Sequence, residues 1–71
     1  MKKVERVYWH GSCVCDICGK EDLTELVDGR IKTGQWATMC LKCFAGYGVG
    51  LGLGRGQQYR MNQEEKMEKV K

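Results

Sequence analysis

Two cysteine pairs constrain this chain more than any other feature. Cys15-x-x-Cys18 and Cys40-x-x-Cys43 stand 21 residues apart in a chain of 71 residues. A C-x-x-C turn lets two thiolates reach one ion, and two such pairs complete a tetrahedron. Thiolate-only tetrahedral sites favour zinc, and the spacing is close to the usual two-pair zinc pattern. A chain this short buries little apolar surface and needs a staple. The fifth cysteine makes the count odd, which argues against a complete secreted disulfide framework. The opening "MKKVERVYWHGS" carries basic residues but no apolar core of signal-peptide length. The chain therefore reads as a single reduced, cytoplasmic domain with one structural Zn2+ held by Cys15, Cys18, Cys40 and Cys43, without a membrane segment. Cys13 is left as a neighbouring spare thiol and His10, the one histidine, as polar surface. Four cysteines close the coordination sphere, whereas a catalytic zinc keeps a position open. No serine–histidine–acid set accompanies them, so no enzyme is expected and no small-molecule substrate is evident.

The local patterns place the pairs on elements. "VERVYW" (4–9), "DLTELV" (22–27) and "WATM" (36–39) are rich in strand formers, and Asp28-Gly29 is a turn signal between the last two. In "CLKCFAGYG" (40–48), Leu41, Phe44 and Tyr47 share one helical face and glycine follows as a stop. The expected fold class is a small metal-stabilised α+β domain. It spans residues 1–60 and runs knuckle, β-hairpin, short helix, then a glycine-rich arm (46–56). Residues 61–71 follow as a charged C-terminal helix or tail, with Glu64, Glu65 and Glu68 among Lys66, Lys69 and Lys71.

The arm, "GYGVGLGLGRG", has glycine at every second position. Its offsets match neither the dinucleotide fingerprint nor the P-loop. Period two is strand spacing, so an extended arm would carry Tyr47, Val49, Leu51, Leu53 and Arg55 on one side and a bare face on the other. It either folds back over the hairpin, binds a partner, or stays disordered.

Charge is uneven around this arm. Residues 12–28 hold five acids against Lys20, whereas residues 29–63 hold no acid but Arg30, Lys32, Lys42, Arg55 and Arg60. An acid-free basic segment suits phosphate or an acidic protein surface. Nucleic-acid binding is the favoured expectation, with Lys32, Lys42, Arg55 and Arg60 on phosphates and Trp36 or Tyr59 stacking on a base. The alternative is a protein–protein interaction module, with the same residues and the arm as its surface. Electron transfer through iron is a third class, but the second pair lacks the glycine that follows Cys18, and Phe44 stands there instead.

The order of these features resembles treble-clef zinc fingers, the GATA-type finger in particular. The matching positions are Cys15, Cys18, Trp36, Cys40 and Cys43, with Phe44 and Tyr47 after the last cysteine. The longer spacing between pairs and a tail that is not strongly basic depart from GATA fingers, so the resemblance carries over only the metal ligands and the fold. Residues 15–59 also resemble a group of small, uncharacterised phage- and prophage-associated zinc-finger proteins, through Val27-Asp28-Gly29, Gly34, Trp36-Ala37, Met39-Cys40, Cys43, Tyr47 to Gly52, Gly54, Gly56-Gln57 and Tyr59. That likeness implies a phage protein in a host cytoplasm, and as an alternative partner a host protein that it modulates.

Overall fold

The computed structural model describes residues 7–70. Strand β1 (Glu25–Arg30) pairs antiparallel with β2 (Trp36–Met39), with Val27 opposite Met39 and Arg30 opposite Trp36. The expected strand over 22–27 thus lies three residues later, and Asp28-Gly29 is inside it rather than at the turn. The reversal is made by Ile31 to Gln35. There the Gly34 N–H donates to the Ile31 carbonyl at 2.8 Å, and Gly34 sits at φ +98°. Asp28 and Gly29 have other duties. The Asp28 carboxylate accepts the Trp36 indole N–H at 2.8 Å, and Gly29 faces Gly56 on the next strand.

That strand, β3 (Gly56–Met61), pairs antiparallel with β1, Leu26 opposite Tyr59 and Gly29 opposite Gly56. A last strand, β4 (Met67–Lys69), pairs with β3 and completes the order β2-β1-β3-β4. The expected C-terminal helix or tail is therefore a β-hairpin instead. Asn62 builds its turn, its Oδ1 accepting the N–H groups of Glu64 at 2.9 Å and Lys66 at 3.0 Å, and Met67 is then buried in the core. Burial of Met67 outweighs the helix propensity of the surrounding glutamates and lysines. The strand expected over 4–9 is reduced, in its described part, to an isolated bridge between Tyr8 and Glu68, flanked by Trp9 N–H donating to Met67 O at 2.8 Å and Lys69 N–H to Val7 O at 2.7 Å. Residues 4–6 of that expectation lie outside the described residues.

Successive residues of a strand face opposite sides, and Leu26 and Val27 are both fully buried, so β1 supports two apolar layers. On one side Leu26 packs with Cys15, Leu23, Cys40, Tyr59 and Met67, and the Trp9 ring lies against Tyr59 at 5.6 Å between centroids. On the other, Val27, Ala37 and Met39 meet Phe44, Ile31 and Leu51. Phe44 comes from α1 (Leu41–Tyr47), the helix expected at 40–48. A buried side chain of this size contributes roughly 1.5–3 kcal/mol, so neither small layer holds the chain with much to spare.

The glycine run is not an extended arm. Gly50, Gly52 and Gly54 take φ of +119°, +121° and +77°, which coils the chain where a strand would stretch it. The coil closes on itself, the N–H of Gly52 donating to Gly56 O at 2.8 Å and that of Gly56 to Gly52 O at 3.0 Å. It also folds back on the hairpin, since Ile31 bridges to Gly48 and the Val49 N–H reaches Arg30 O at 3.3 Å. The one-sided stripe is divided accordingly: Leu51 is tucked against the second layer, while Leu53 at the tip is 99% exposed.

Candidate metal centre

The four paired cysteines meet at one end of the sheet. Cys15 and Cys18 sit on a tight turn in which Cys15 N–H donates to Lys20 O and Gly19 N–H to Cys15 O, both at 2.9 Å. Gly19 lies at φ +80°, which lets the turn close. Cys40 is the N-cap residue between β2 and α1, and Cys43 is in the helix's first turn, three residues on and so on the same face. The turn is clamped to β2 by Asp16, whose N–H donates to Thr38 O at 2.7 Å while its Oδ2 accepts the Thr38 N–H at 2.9 Å. Nothing in the C-x-x-C pattern announces this clamp, because its partner is in another element.

All four Sγ atoms lie within 4.8 Å of one another, and Cys18 Sγ and Cys40 Sγ are 3.8 Å apart. A tetrahedral zinc with Zn–S bonds of about 2.3 Å sets its sulfurs about 3.8 Å apart. The set could hold a metal ion and fits zinc in both donor type and dimension. Cys15 and Cys40 are buried, Cys43 is half-buried and Cys18 exposed, so the centre is closed inward and open on one side.

The thiols are electrostatically unequal. Burial alone would raise Cys15, but hydrogen bonds from the N–H groups of Cys18, Cys40 and Ile17 and from the Cys18 thiol outweigh it, and Cys15 falls to about 6. Cys43 goes the other way: burial, bonding with the thiols of Cys40, Cys15 and Cys18, and the Cys15 charge push it up to about 12. Thiols this close lose protons as a set, each thiolate making the next harder to form. A bound cation reverses that order, stabilising all four thiolates and displacing their protons.

Cys13 stands outside the cluster, half-buried, with its carbonyl accepting the Leu23 N–H at 3.0 Å. His10 is exposed. The residues expected to bind a partner are scattered. Lys32, Trp36 and Arg55 are exposed at the end of the sheet remote from the cysteines, whereas Lys42 is exposed on α1 beside them. Arg60 is held by Glu25, whose Oε2 accepts from Arg60 Nε at 3.1 Å and Nη2 at 3.0 Å. Tyr59 is buried under Trp9, so its ring is not offered for stacking. Burial and the Asp28 charge raise its phenol above the ordinary range.

Among the described residues, no helix is long and apolar enough to cross a membrane. Compared with known proteins, the chain matches no family model, no curated protein and no solved structure.

Proposed function

We propose that Cys15, Cys18, Cys40 and Cys43 bind one structural zinc ion, and that the chain is a non-enzymatic zinc-finger module that binds nucleic acid. The carrying observation is the gathering of the four sulfurs within 4.8 Å. The order knuckle, β1–β2 hairpin, α1 with the second pair in its first turn supports a treble clef. Four protein ligands leave zinc no open position for a substrate, which favours a structural ion over a catalytic one. A reducing, cytoplasmic compartment suits four free thiolates. Nucleic acid is favoured by Arg30, Lys32, Lys42 and Arg55, all exposed within a segment that has no acid between residues 29 and 63.

The test has two parts. Metal analysis of purified protein should give one zinc per chain, and a zinc-loaded sample should bind oligonucleotides at low salt and release them as salt rises. A chain that folds without metal sinks the first half of the proposal. Absence of binding at low salt sinks the second. A protein partner is the second reading, favoured by the full exposure of Leu53 at the loop tip. Leu53→Asp should then change what the protein captures while leaving oligonucleotide binding intact.

A further inference from the structure

At the end of the sheet remote from the cysteines, Arg30 on β1, Trp36 on β2 and Arg55, the residue before β3, form one row. Arg30 is opposite Trp36 on β2, and on its other side the Arg30 N–H donates to the carbonyl of Arg55 at 2.8 Å, just beyond the Gly29–Gly56 pair. At the usual strand separation the row is about 10 Å wide. Lys32 follows in the adjoining turn, and all four side chains are exposed. The row exists only because the glycine coil returns Arg55 to β1.

Trp36 is half exposed, and its indole N–H is fixed by the Asp28 carboxylate at 2.8 Å. That bond pre-orients the ring, and the Asp28 carboxylate keeps its charge beside it. The remainder, Arg30 beside the oriented ring, Lys32 in the adjoining turn and Arg55 with its guanidinium over Gly50 and Gly52 of the coil, is complementary to a phosphate backbone carrying an unpaired base. Stacking on an aromatic ring beside backbone-tracking cations is how single strands are held without reading their sequence. A duplex keeps its bases stacked inside and offers no such face. The surface has no projecting helix to enter a groove, α1 being seven residues long and packed on the sheet through Phe44.

We infer that this row is the working surface and that its ligand is single-stranded nucleic acid, Arg30, Lys32 and Arg55 contacting phosphates and Trp36 stacking on a base. The inference rests on the nucleic-acid reading above and adds the surface and the strand state. Three phosphate contacts on a single strand give a slope of about −2 for log K against log salt, or about 20-fold weaker binding from 50 to 200 mM.

The experiment is fluorescence anisotropy of labelled dT12 and of a twelve-base-pair duplex with the zinc-loaded full chain across that salt range. Wild type should prefer dT12 with that slope. Arg30→Ala/Lys32→Ala/Arg55→Ala should flatten it towards zero, and Trp36→Ala should weaken binding at least five-fold. Zinc content and circular dichroism check that the variants fold, and Lys32→Glu alone, in an exposed turn, repeats the test should the triple variant not fold. Binding of dT12 that is unchanged in these variants overturns the surface while leaving the nucleic-acid reading standing. A preference for duplex overturns the single-strand assignment. Failure of both oligonucleotides at 50 mM salt removes the general reading and this inference together.

Discussion

Alanine at Gly29 and alanine at Gly46 should move stability in opposite directions. A Cβ built on Gly29 would meet Arg55 O at 2.9 Å and Gly56 Cα at 3.0 Å. Both are backbone atoms of the neighbouring segment, so neither can rotate aside. β1 and β3 must part by a few tenths of an ångström at the row where their pairing ends. Overpacking of this kind costs about 1–3 kcal/mol, and the entropy removed from the unfolded chain returns only about 0.4–1 kcal/mol. The net expectation is a loss of about 1–2 kcal/mol. At Gly46 a Cβ meets nothing within 4 Å, and the residue is exposed within α1. There alanine should gain up to about 1 kcal/mol, the helix-propensity difference. Urea unfolding at one fixed concentration of free zinc gives both values, because zinc binding to the folded state would otherwise shift the midpoints. Equal midpoints for the two variants, or a Gly29→Ala variant as stable as wild type, would refute the close approach of β1 and β3.

Removal of zinc by a chelator should unfold the chain, since structural zinc supplies on the order of 10 kcal/mol in small domains. Metal analysis should find Cys40→Ser without zinc and Cys13→Ser with its full complement. Asn62→Ala should cost about 1–2 kcal/mol in the same urea assay, because its Oδ1 serves two N–H groups of the β3–β4 turn. Arg60→Ala should cost under about 1 kcal/mol, as expected of an exposed ion pair, and should leave the oligonucleotide salt slope in place. Tyr59, with its phenol raised by burial and the Asp28 charge, contributes stability that is complete below the ordinary tyrosine pKa and is lost as pH rises through the higher folded value. Absorbance at 295 nm should therefore show one late tyrosine, absent from Tyr59→Phe.

The gathering of the four paired cysteines was legible because it is local: a C-x-x-C turn brings two sulfurs together by itself, and the junction of β2 and α1 carries the second pair where the apolar spacing puts it. The misread segments share one cause, a partner far away in sequence. Asp28-Gly29 has the composition of a turn, but Gly29 is there because Gly56 lies across from it. The glycine run has the period of a strand, yet the sign of φ, which decides between a strand and a coil, leaves no trace in a row of glycines. The Glu/Lys tail has helix propensity, and what overrules it is a place for Met67 beside Leu26 and Tyr59. Tyr59 reads as a stacking ring in sequence for the same reason: its burial under Trp9 depends on residues 7–9 lying along β4, next to β3.

The same sheet is closed by different means at its two ends. At one, Cys15, Cys18, Cys40 and Cys43 gather the knuckle, the end of β2 and the start of α1, and the Asp16–Thr38 clamp ties the knuckle to β2. At the other, Gly29 and Gly56 let β1 and β3 approach closely, and the coil from Gly50 to Gly56 returns Arg55 beside Arg30. Helix α1 joins the two ends and depends on both. Its N-cap, Cys40, makes no side-chain capping bond among the described residues, and none of its seven residues is fully buried. A helix of that length is not stable alone; Phe44 packs it on the sheet, and on the proposed zinc site Cys40 and Cys43 would tie its first turn to the ion. The division of labour explains why so much glycine stands in so short a chain. Four gathered cysteines organise one end of the molecule, and the glycines carry the chain back across the sheet to set Arg55 beside Arg30, in the row that ends at Trp36, whose indole the Asp28 carboxylate holds.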